Sequence, residues 1–480
     1  MSGVSDDART LSRLGYAQEL LRAMGGFSSF ALSFSIISVL TGITTTYGVA
    51  LGAGGPAALG LGWPLVSAGT LVVALAMGEL ASAFPTAGAL YHWSAWLGGA
   101  GWGWFTAMMN LVGQLAIVAA IDLGCAQTLA ATLGLPGRAS WPLLLAILVS
   151  HALLNVASVR LVAVLNDLSA SVHVVGVLVL VGSLLFFGRA HPAHWLVETG
   201  FTSRADGRYA IGFLNSLLLG MWTFTGFDAS AHVSEETHDP ARRAPWGIVS
   251  AVAVSAVAGY ALVAALTLAI PDLAATAASD QAALFVLRRA LGEAAGRWAM
   301  GLAVVAMWFC GLSSVTSASR MLFAFARDEG IPFHRALRRV SPRWRTPHVA
   351  ILAVCAASLA LVAATAPLSD AVFLAVASLA TTGLYTSYGL PIALGAVARA
   401  RGRWERLGPW NLGPFGVAVA WAAVAWSAFV LVVCALPPNT TAGGMLAAVV
   451  VLLGVLYATT VRGRFRGPRL ALADVEHAPE

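Results

Sequence analysis

The feature that most limits the fold is a series of long apolar runs separated by short polar connections. A helix needs about 20 apolar residues to cross the hydrocarbon core of a bilayer. On that rule the chain offers twelve spans, at roughly 26–50, 58–83, 101–131, 142–160, 165–188, 210–233, 246–270, 297–325, 348–366, 369–397, 415–436 and 443–461. Of the 480 residues, 58% are hydrophobic and only 10% charged, with a mean hydropathy of +0.79. A soluble domain carries about 25% charged residues. So little charge cannot cover a water-exposed surface, and the reading is an all-α integral membrane protein with twelve transmembrane helices.

The net charge of +6 comes from arginine alone, since the chain has no lysine. The arginines lie in short stretches between apolar runs. Orientation in a bilayer accounts for them, and nucleic-acid binding does not. With the N-terminus inside, 21 arginines fall on the cytoplasmic side and 7 outside, among them Arg204 and Arg208. This bias puts both termini in the cytoplasm of a multi-pass plasma-membrane protein. The polar stretch Met1–Arg22 reads as a tail and not as a cleavable signal. Cys125, Cys310, Cys355 and Cys434 all lie in apolar runs, so neither disulfides nor a metal cluster is expected. The segment Phe84–Trp93 is too broken for a span and reads as interfacial or re-entrant.

Two spans carry polar interruptions. The sixth contains Thr223-Phe224-Thr225-Gly226-Phe227-Asp228, and the first contains Ser38, then Leu40-Thr41-Gly42-Ile43-Thr44-Thr45. A glycine lowers helix stability by about 1 kcal/mol relative to alanine. One glycine in a membrane helix is ordinary packing. Paired interruptions five helices apart, in antiparallel spans, point to an inverted repeat with its binding site at the breaks. The organisation expected is therefore a tail over 1–24, a first five-helix repeat over 25–188 and an extracellular loop over 189–209. A second, inverted repeat follows over 210–397, then a cytoplasmic loop over 398–414, helices eleven and twelve over 415–461, and a C-terminal tail over 462–480.

A broken helix exposes amides that attract a carboxylate and carbonyls that attract a cation. Two crossed breaks therefore suit a small zwitterion. The amides following Thr41 and Gly42 are the candidates for its carboxylate, and the carbonyls near Ile36, Ile37, Trp222 and Thr223 for its ammonium group. Ser38, Thr41, Gly42, Ile43, Thr223, Phe224, Gly226, Phe227 and Asp228 make up the candidate substrate site. Phe224 and Phe227 either wall the pocket or face core. Asp228 either N-caps the second half of its span or offsets a substrate cation.

Phe224-Thr225-Gly226-Phe227-Asp228-Ala229-Ser230-Ala231-His232 with Glu235-Glu236-Thr237 resembles the sixth span of the amino acid–polyamine–organocation superfamily. It is similar in particular to the amino acid/choline transporter branch, which includes fungal GABA and choline permeases. Gly78-Glu79-Leu80 with Pro85-Thr86-Ala87-Gly88-Ala89-Leu90-Tyr91, and Ser319-Arg320-Met321-Leu322-Phe323-Ala324-Phe325-Ala326-Arg327-Asp328, resemble two further superfamily motifs. The resemblance runs from about Ala23 to Arg406. It implies a LeuT-type 5+5 inverted repeat and alternating access. The chain departs from many members in having one glycine at the first break.

In span five, His173 falls where some proton-coupled members of that superfamily place a lysine beside span one. Histidine titrates near neutral pH, with an ordinary pKa of about 6.5, which makes His173 the candidate coupling residue; a neutral, hydrogen-bonded histidine is the alternative. Ser313, Ser314 and Ser317, with Thr316, are weaker candidates for sodium, because such hydroxyls commonly bond their own helix. Asn110, Gln114 and Asp122 recur near one face of span three, where Asp122 either reaches the outer vestibule or bonds structurally. Thr381, Thr382, Tyr385 and Tyr388 are candidates for a gate. Glu235, Glu236 and Asp239 are expected to form exposed pairs with Arg242 and Arg243, with an inner-gate pair between Glu235 and Arg320 as a further option.

The leading function is a secondary active permease for an amino acid or a related small amine such as GABA, proton-coupled, with no cofactor and with membrane lipid as its surroundings. A choline, polyamine or other organic-cation permease, sodium-coupled or exchanging, is the alternative. An intramembrane enzyme is disfavoured: there is no His-Glu-x-x-His, no nucleophile elbow and no cluster of cysteine and histidine ligands. Primary transport is disfavoured by the lack of a phosphate-binding loop, for which the chain has no lysine.

Overall fold

The computed structural model describes residues 6–200, 209–368, 371–437, 439–470, 472 and 474. Arg204 and Arg208 of the expected outer set lie outside the described residues, as do parts of both expected tails. Among the described residues the chain is helical, and the only β-type pairing is one isolated bridge between Met24 and Thr237. Nine helical segments among them are long and apolar enough to cross a membrane, with Gly26–Ala83 taken as one.

The helices, in chain order, are α1 (Asp6–Arg13), α2 (Gly26–Ile37), α3 (Val39–Ala83), α4 (Leu90–Gly98), α5 (Ala100–Leu133), α6 (Ser140–Ala157), α7 (Val159–Ser183), α8 (Tyr209–Ser216), α9 (Leu218–Thr223), α10 (Ala229–His232), α11 (Pro240–Leu268), α12 (Leu273–Ala277), α13 (Ala282–Leu291), α14 (Glu293–Arg327), α15 (His334–Leu337), α16 (His348–Thr365), α17 (Val372–Ala400), α18 (Gly416–Ala435) and α19 (Thr440–Leu456). Helix α3 joins two expected spans. Gly55, at φ 66, turns the chain between them, and Pro56 follows as a residue that cannot donate back into the preceding turn.

The expected sixth span is not one helix but three short pieces, α8, α9 and α10. Span five starts earlier than its hydropathy indicated. Ser158 caps α7 through its side chain, which accepts from the Leu161 amide, so the helix takes in Arg160 before the apolar run begins. Residues 84–89 between α3 and α4 are buried throughout, so the Phe84–Trp93 segment is packed inside the protein and not laid on its surface. The connection after α11 holds α13, whose Leu284, Val286 and Leu287 are buried while Arg288 and Arg289 are not.

The core is continuous. Helices α2, α3, α5, α11, α14 and α17 carry most of it, while α6, α7, α18 and α19 keep one side exposed with large aliphatic side chains. In a bilayer such a side faces lipid and needs no protein cover. All four cysteines are buried and free.

Gly55 gives a test of the turn. A Cβ there would lie 2.3 Å from the Thr199 carbonyl oxygen, at a φ that side chains rarely adopt. Gly55→Ala is expected to cost roughly 1–3 kcal/mol in backbone strain alone. Its thermal midpoint in detergent should fall and its yield drop. Gly52→Ala, where a Cβ meets nothing within 4 Å, should match the parent protein.

Candidate functional site

The first break lies at Ser38, four residues before the glycine expected to form it. Ser38 takes left-handed dihedrals (φ 31, ψ 79) between α2 and α3. A non-glycine residue holds that conformation only where its surroundings fix it. Here the Ser38 hydroxyl does so. It meets His173 Nε2 at 2.7 Å and Thr41 Oγ1 at 2.6 Å, and it accepts from the Thr41 amide at 3.2 Å. Gly42 sits inside α3 instead, with its amide bonded to Ser38 O. Its role is close approach, since a Cβ there would lie 2.1 Å from Thr223 Oγ1. The hydroxyls of Thr44, Thr45 and Thr46 bond back to carbonyls of their own helix. The amides left without an intrahelical acceptor are thus those at the start of α3, Val39 and Leu40, and not those after Gly42.

The second break spans Phe224–Asp228, between α9 and α10, with Gly226 at φ 85. The Gly226 amide donates to Tyr388 Oη at 3.0 Å, and Tyr388 Oη donates to Asp228 Oδ1 at 2.8 Å. The Asp228 side chain makes no cap to α10. The N-cap reading is therefore corrected. Its other oxygen meets His232 Nε2 at 3.1 Å, Asn110 Nδ2 at 3.4 Å and Gln114 Nε2 at 3.5 Å. Phe224 packs on Trp63 and Phe227 on Tyr388, and both phenylalanines are fully buried.

The two breaks touch. A Cβ on Gly226 would lie 2.3 Å from Ile36 Cγ2. Ser33 Oγ donates to Phe227 O at 2.8 Å and accepts from the Ser230 amide at 2.9 Å. Ser230 Oγ donates to Ser29 O at 2.6 Å. Of the candidate carbonyls, Ile36 already accepts from the Cys310 thiol and Trp222 from the Thr225 hydroxyl.

One end of the site is open and the other shut. A cavity of about 340 Å³ is lined by Thr44, Thr45, Gln127, Asp280 and Phe373, among others. Phe373 stands edge-on to Trp222 of α9. At the arginine-rich end, Glu235 receives both terminal nitrogens of Arg327, at 2.7 and 2.9 Å, and the Ala87 amide at 3.1 Å. Glu236 receives Arg320 at 3.0 and 3.4 Å. All four side chains are buried. The expected exposed pairs with Arg242 and Arg243 are thus replaced by buried pairs with α14, and Arg320 takes Glu236 instead of Glu235. Burial alone would raise the Glu235 carboxyl. The adjacent Arg327 charge, its two hydrogen bonds and the Ala87 amide outweigh that and hold it below the usual range.

The N-terminal segment closes over this end. Tyr16 Oη donates to Asp328 Oδ2 at 2.7 Å, and Arg327 Cζ lies 4.0 Å from the Tyr16 ring centre. Tyr91 and His92 reach the same Asp328 oxygen at 3.0 Å. Burial raises the Tyr16 hydroxyl. Gln18 and Arg22 bond backbone carbonyls of Ser234, Glu235 and Thr237. Sequence reasoning missed the Arg327–Glu235 and Tyr16–Asp328 contacts. A signal existed: Arg320 and Arg327, seven residues apart, share one face of α14 and require buried carboxylates.

The other expected residues have local partners. Asp122 turns to His151, 3.2 Å away and equally buried, and not to a vestibule. Ser313 bonds Asn166 and Phe309 O, Ser314 bonds Cys310 O, and Ser317 accepts from Gln114. Thr381 and Thr382 bond their own helix, while Tyr385 meets Thr70 at 3.2 Å. Ile43 is buried in α3.

Residues 24–457 match the family model described as amino acid permease. The chain belongs to that family. It is 38% identical over 415 residues to amino-acid permease BAT1 of Arabidopsis thaliana, with 80% of each chain covered. It is 38% identical to the BAT1 homolog of Oryza sativa, covering 89% of this chain and 87% of the other. To the GABA-specific permease of Saccharomyces cerevisiae it is 30% identical, covering 80% of this chain and 71% of the other. This permease is accordingly a multi-pass membrane transporter of amino acids and not an enzyme.

The Glu235–Arg327 pair yields a prediction. Removing one partner of a buried ion pair costs about 3–5 kcal/mol. Glu235→Gln should lower the thermal midpoint and leave the arginine-rich end open to thiol reagents at an introduced Ala87→Cys; unchanged reactivity would show that the pair does not close this end. Because the Glu235 carboxyl is depressed, its stabilisation is complete above the ordinary glutamate value of about 4.3 and is lost as pH falls through the lowered value. The parent protein should keep this end closed from pH 6 to 8.

Proposed function

We propose that the permease carries an amino acid, GABA among the candidates, by proton-coupled alternating access through a LeuT-type fold. On this reading twelve transmembrane helices comprise two inverted five-helix repeats, 25–188 and 210–397, and helices eleven and twelve over 415–461. The arginine bias supports a plasma-membrane protein with the arginine-rich end in the cytoplasm. The observation that carries the reading is the pair of touching breaks, at Ser38 and at Phe224–Asp228, with an imidazole bonded to the first. The relatives named for amino acids and for GABA support a zwitterionic substrate.

The substrate carboxylate is assigned to the free amides at the start of α3, beside Ser38 and Thr41, where the positive end of the helix lies. Its ammonium group is assigned to the carbonyls of Ile37 and Thr223, since those of Ile36 and Trp222 are engaged. Phe224, Phe227, Gly226, Gly42 and Ile43 shape the walls. Asp228 already accepts from Tyr388, Asn110 and Gln114 and lies against His232, so it stands behind the site. This weighs against an organic cation without a carboxylate.

His173 links a proton to the break. Its Nδ1 lies 2.8 Å from the Ser169 carbonyl, which only accepts, so Nδ1 carries hydrogen and neutral Nε2 accepts from Ser38. Protonation puts a hydrogen on Nε2 as well. Ser38 must then turn its hydroxyl hydrogen to Thr41 Oγ1, and the Thr41 hydroxyl hydrogen is freed toward the substrate carboxylate. The protonated carrier thus gains one donor at the place where the anion binds. Sodium is the weaker reading, because Ser313, Ser314 and Ser317 each have a protein partner.

Purified protein in liposomes, screened with labelled amino acids, GABA, choline and polyamines under imposed proton or sodium gradients, tests the reading. Uptake of a zwitterion driven by an acid-outside gradient is expected. Uptake of choline alone, or dependence on sodium, would overturn it. His173→Ala should abolish acceleration by the proton gradient; a variant with the parent's pH dependence would remove His173 from the coupling step.

A further inference from the structure

Helices α2 and α7 meet along a seam of polar side chains that the coupling role of His173 uses only at one end. Ser38 bonds His173 at 2.7 Å, Ser35 donates to Ser169 at 2.7 Å, and Ser28 donates to Asp167 Oδ2 at 3.2 Å. Ser28, Ser35 and Ser38 follow helical spacing, so they line one face of the inner half of a broken span. Their partners run down α7 toward Val159, where that helix starts at the arginine-rich end. At about 1.5 Å per residue, Asp167 lies roughly 9 Å along the axis from His173 and about 12 Å from the start of α7.

Asp167 is unusual among the acidic residues of this protein. It is partly buried within an apolar run, its Oδ1 is buried without a hydrogen-bond partner, and among the described residues no arginine or histidine lies within 4 Å of it. An ionisable group in that setting is a functional candidate, because a purely structural carboxylate would be paired. The neighbouring helices bring few other titratable groups. Helix α2 brings none; α14 brings Cys310, whose thiol bonds Ile36 O; and α11 brings Arg243, whose stem passes Gly26. His151 of α6 is turned to Asp122, and Tyr47 of α3 to Thr267.

We infer that Asp167 is the proton-release residue of the transport cycle, taking the proton from His173 and passing it to the cytoplasm. This rests on the coupling role of His173 and on the arginine-rich end being cytoplasmic. Helix α2 closes the seam in the present state. When it moves away from α7, Ser35 and Ser28 leave their partners and water enters beside Ser169. The imidazolium then gives up one proton through that water and returns to neutral imidazole. The carboxylate Oδ1 of Asp167 takes the proton and becomes a carboxylic acid, which releases it to bulk water. No electron pair leaves either residue except to hold or yield that proton. Ser28 returns to the anionic carboxylate as the seam closes, so the latch re-forms only after release.

The test uses the full-length protein in liposomes with a labelled mixture of the twenty amino acids and GABA. For Asp167→Asn, exchange of internal for external label at equal pH should stay within twofold of the parent. Net uptake driven by an acid-outside gradient should fall at least tenfold, and Asp167→Glu should restore it. Gradient-driven uptake by Asp167→Asn at the parent's rate would overturn the inference. So would loss of exchange together with net uptake, which would mark Asp167 as structural. Failure of the underlying reading has a different signature: His173→Ala would then keep its gradient-driven uptake whatever Asp167→Asn does.

Discussion

The strained backbone at Ser38 is the constraint on which the candidate site depends. A serine at φ 31 is held by three contacts to one oxygen, from His173, the Thr41 hydroxyl and the Thr41 amide. Strain of this kind costs of order 1–3 kcal/mol and persists only where the surroundings over-determine it. Those contacts come from two different elements, α7 and α3. The break in one helix is therefore tied to the position of another, and on the proposed reading protonation of that imidazole would reverse a hydrogen bond at the break.

The opposite ends of the site are built from different physics. The arginine-rich end is shut by two buried ion pairs and by the N-terminal segment laid over them. Buried pairs add little net stability relative to apolar packing, but separating them is expensive, so they hold this end shut. The other end opens into a cavity beside the aromatic contact between Trp222 and Phe373. Rings of this type slide past each other without leaving a charge unpaired. The asymmetry makes the arginine-rich end the costlier one to separate.

The helical architecture was legible in hydropathy, because a bilayer imposes one length on every span and leaves helices as the means of satisfying the backbone. The interruptions were legible too, since Thr-Gly and Thr-Gly-Phe-Asp are costly in apolar helices. Their positions were not. The first was read at Gly42 because glycine is the usual residue for a left-handed turn, whereas Ser38 is held in part by His173, 135 residues away. Gly42 answers instead to Thr223, across the contact between the breaks. Likewise Glu235 and Glu236 looked like loop carboxylates beside Arg242 and Arg243. Only the packing of α14 shows that Arg320 and Arg327 need them more, since a guanidinium buried in the helix bundle has no water to turn to.

Asp228 shows how far charge alone decides recognition. A carboxylate in the middle of a membrane protein invites assignment as the counter-ion of a substrate amine. Here Tyr388, Asn110 and Gln114 direct donors at it, and the His232 ring lies against it. An incoming ammonium group would have to displace some of these donors, and each buried donor left unpaired costs about 1–3 kcal/mol. The carbonyls of Ile37 and Thr223, unlike the engaged ones of Ile36 and Trp222, need no such exchange. On the proposed reading, recognition of an amine at carbonyl ends, with Asp228 behind them and not in contact, would leave the Tyr388–Gly226 bond intact and keep the second break in shape while the substrate is bound.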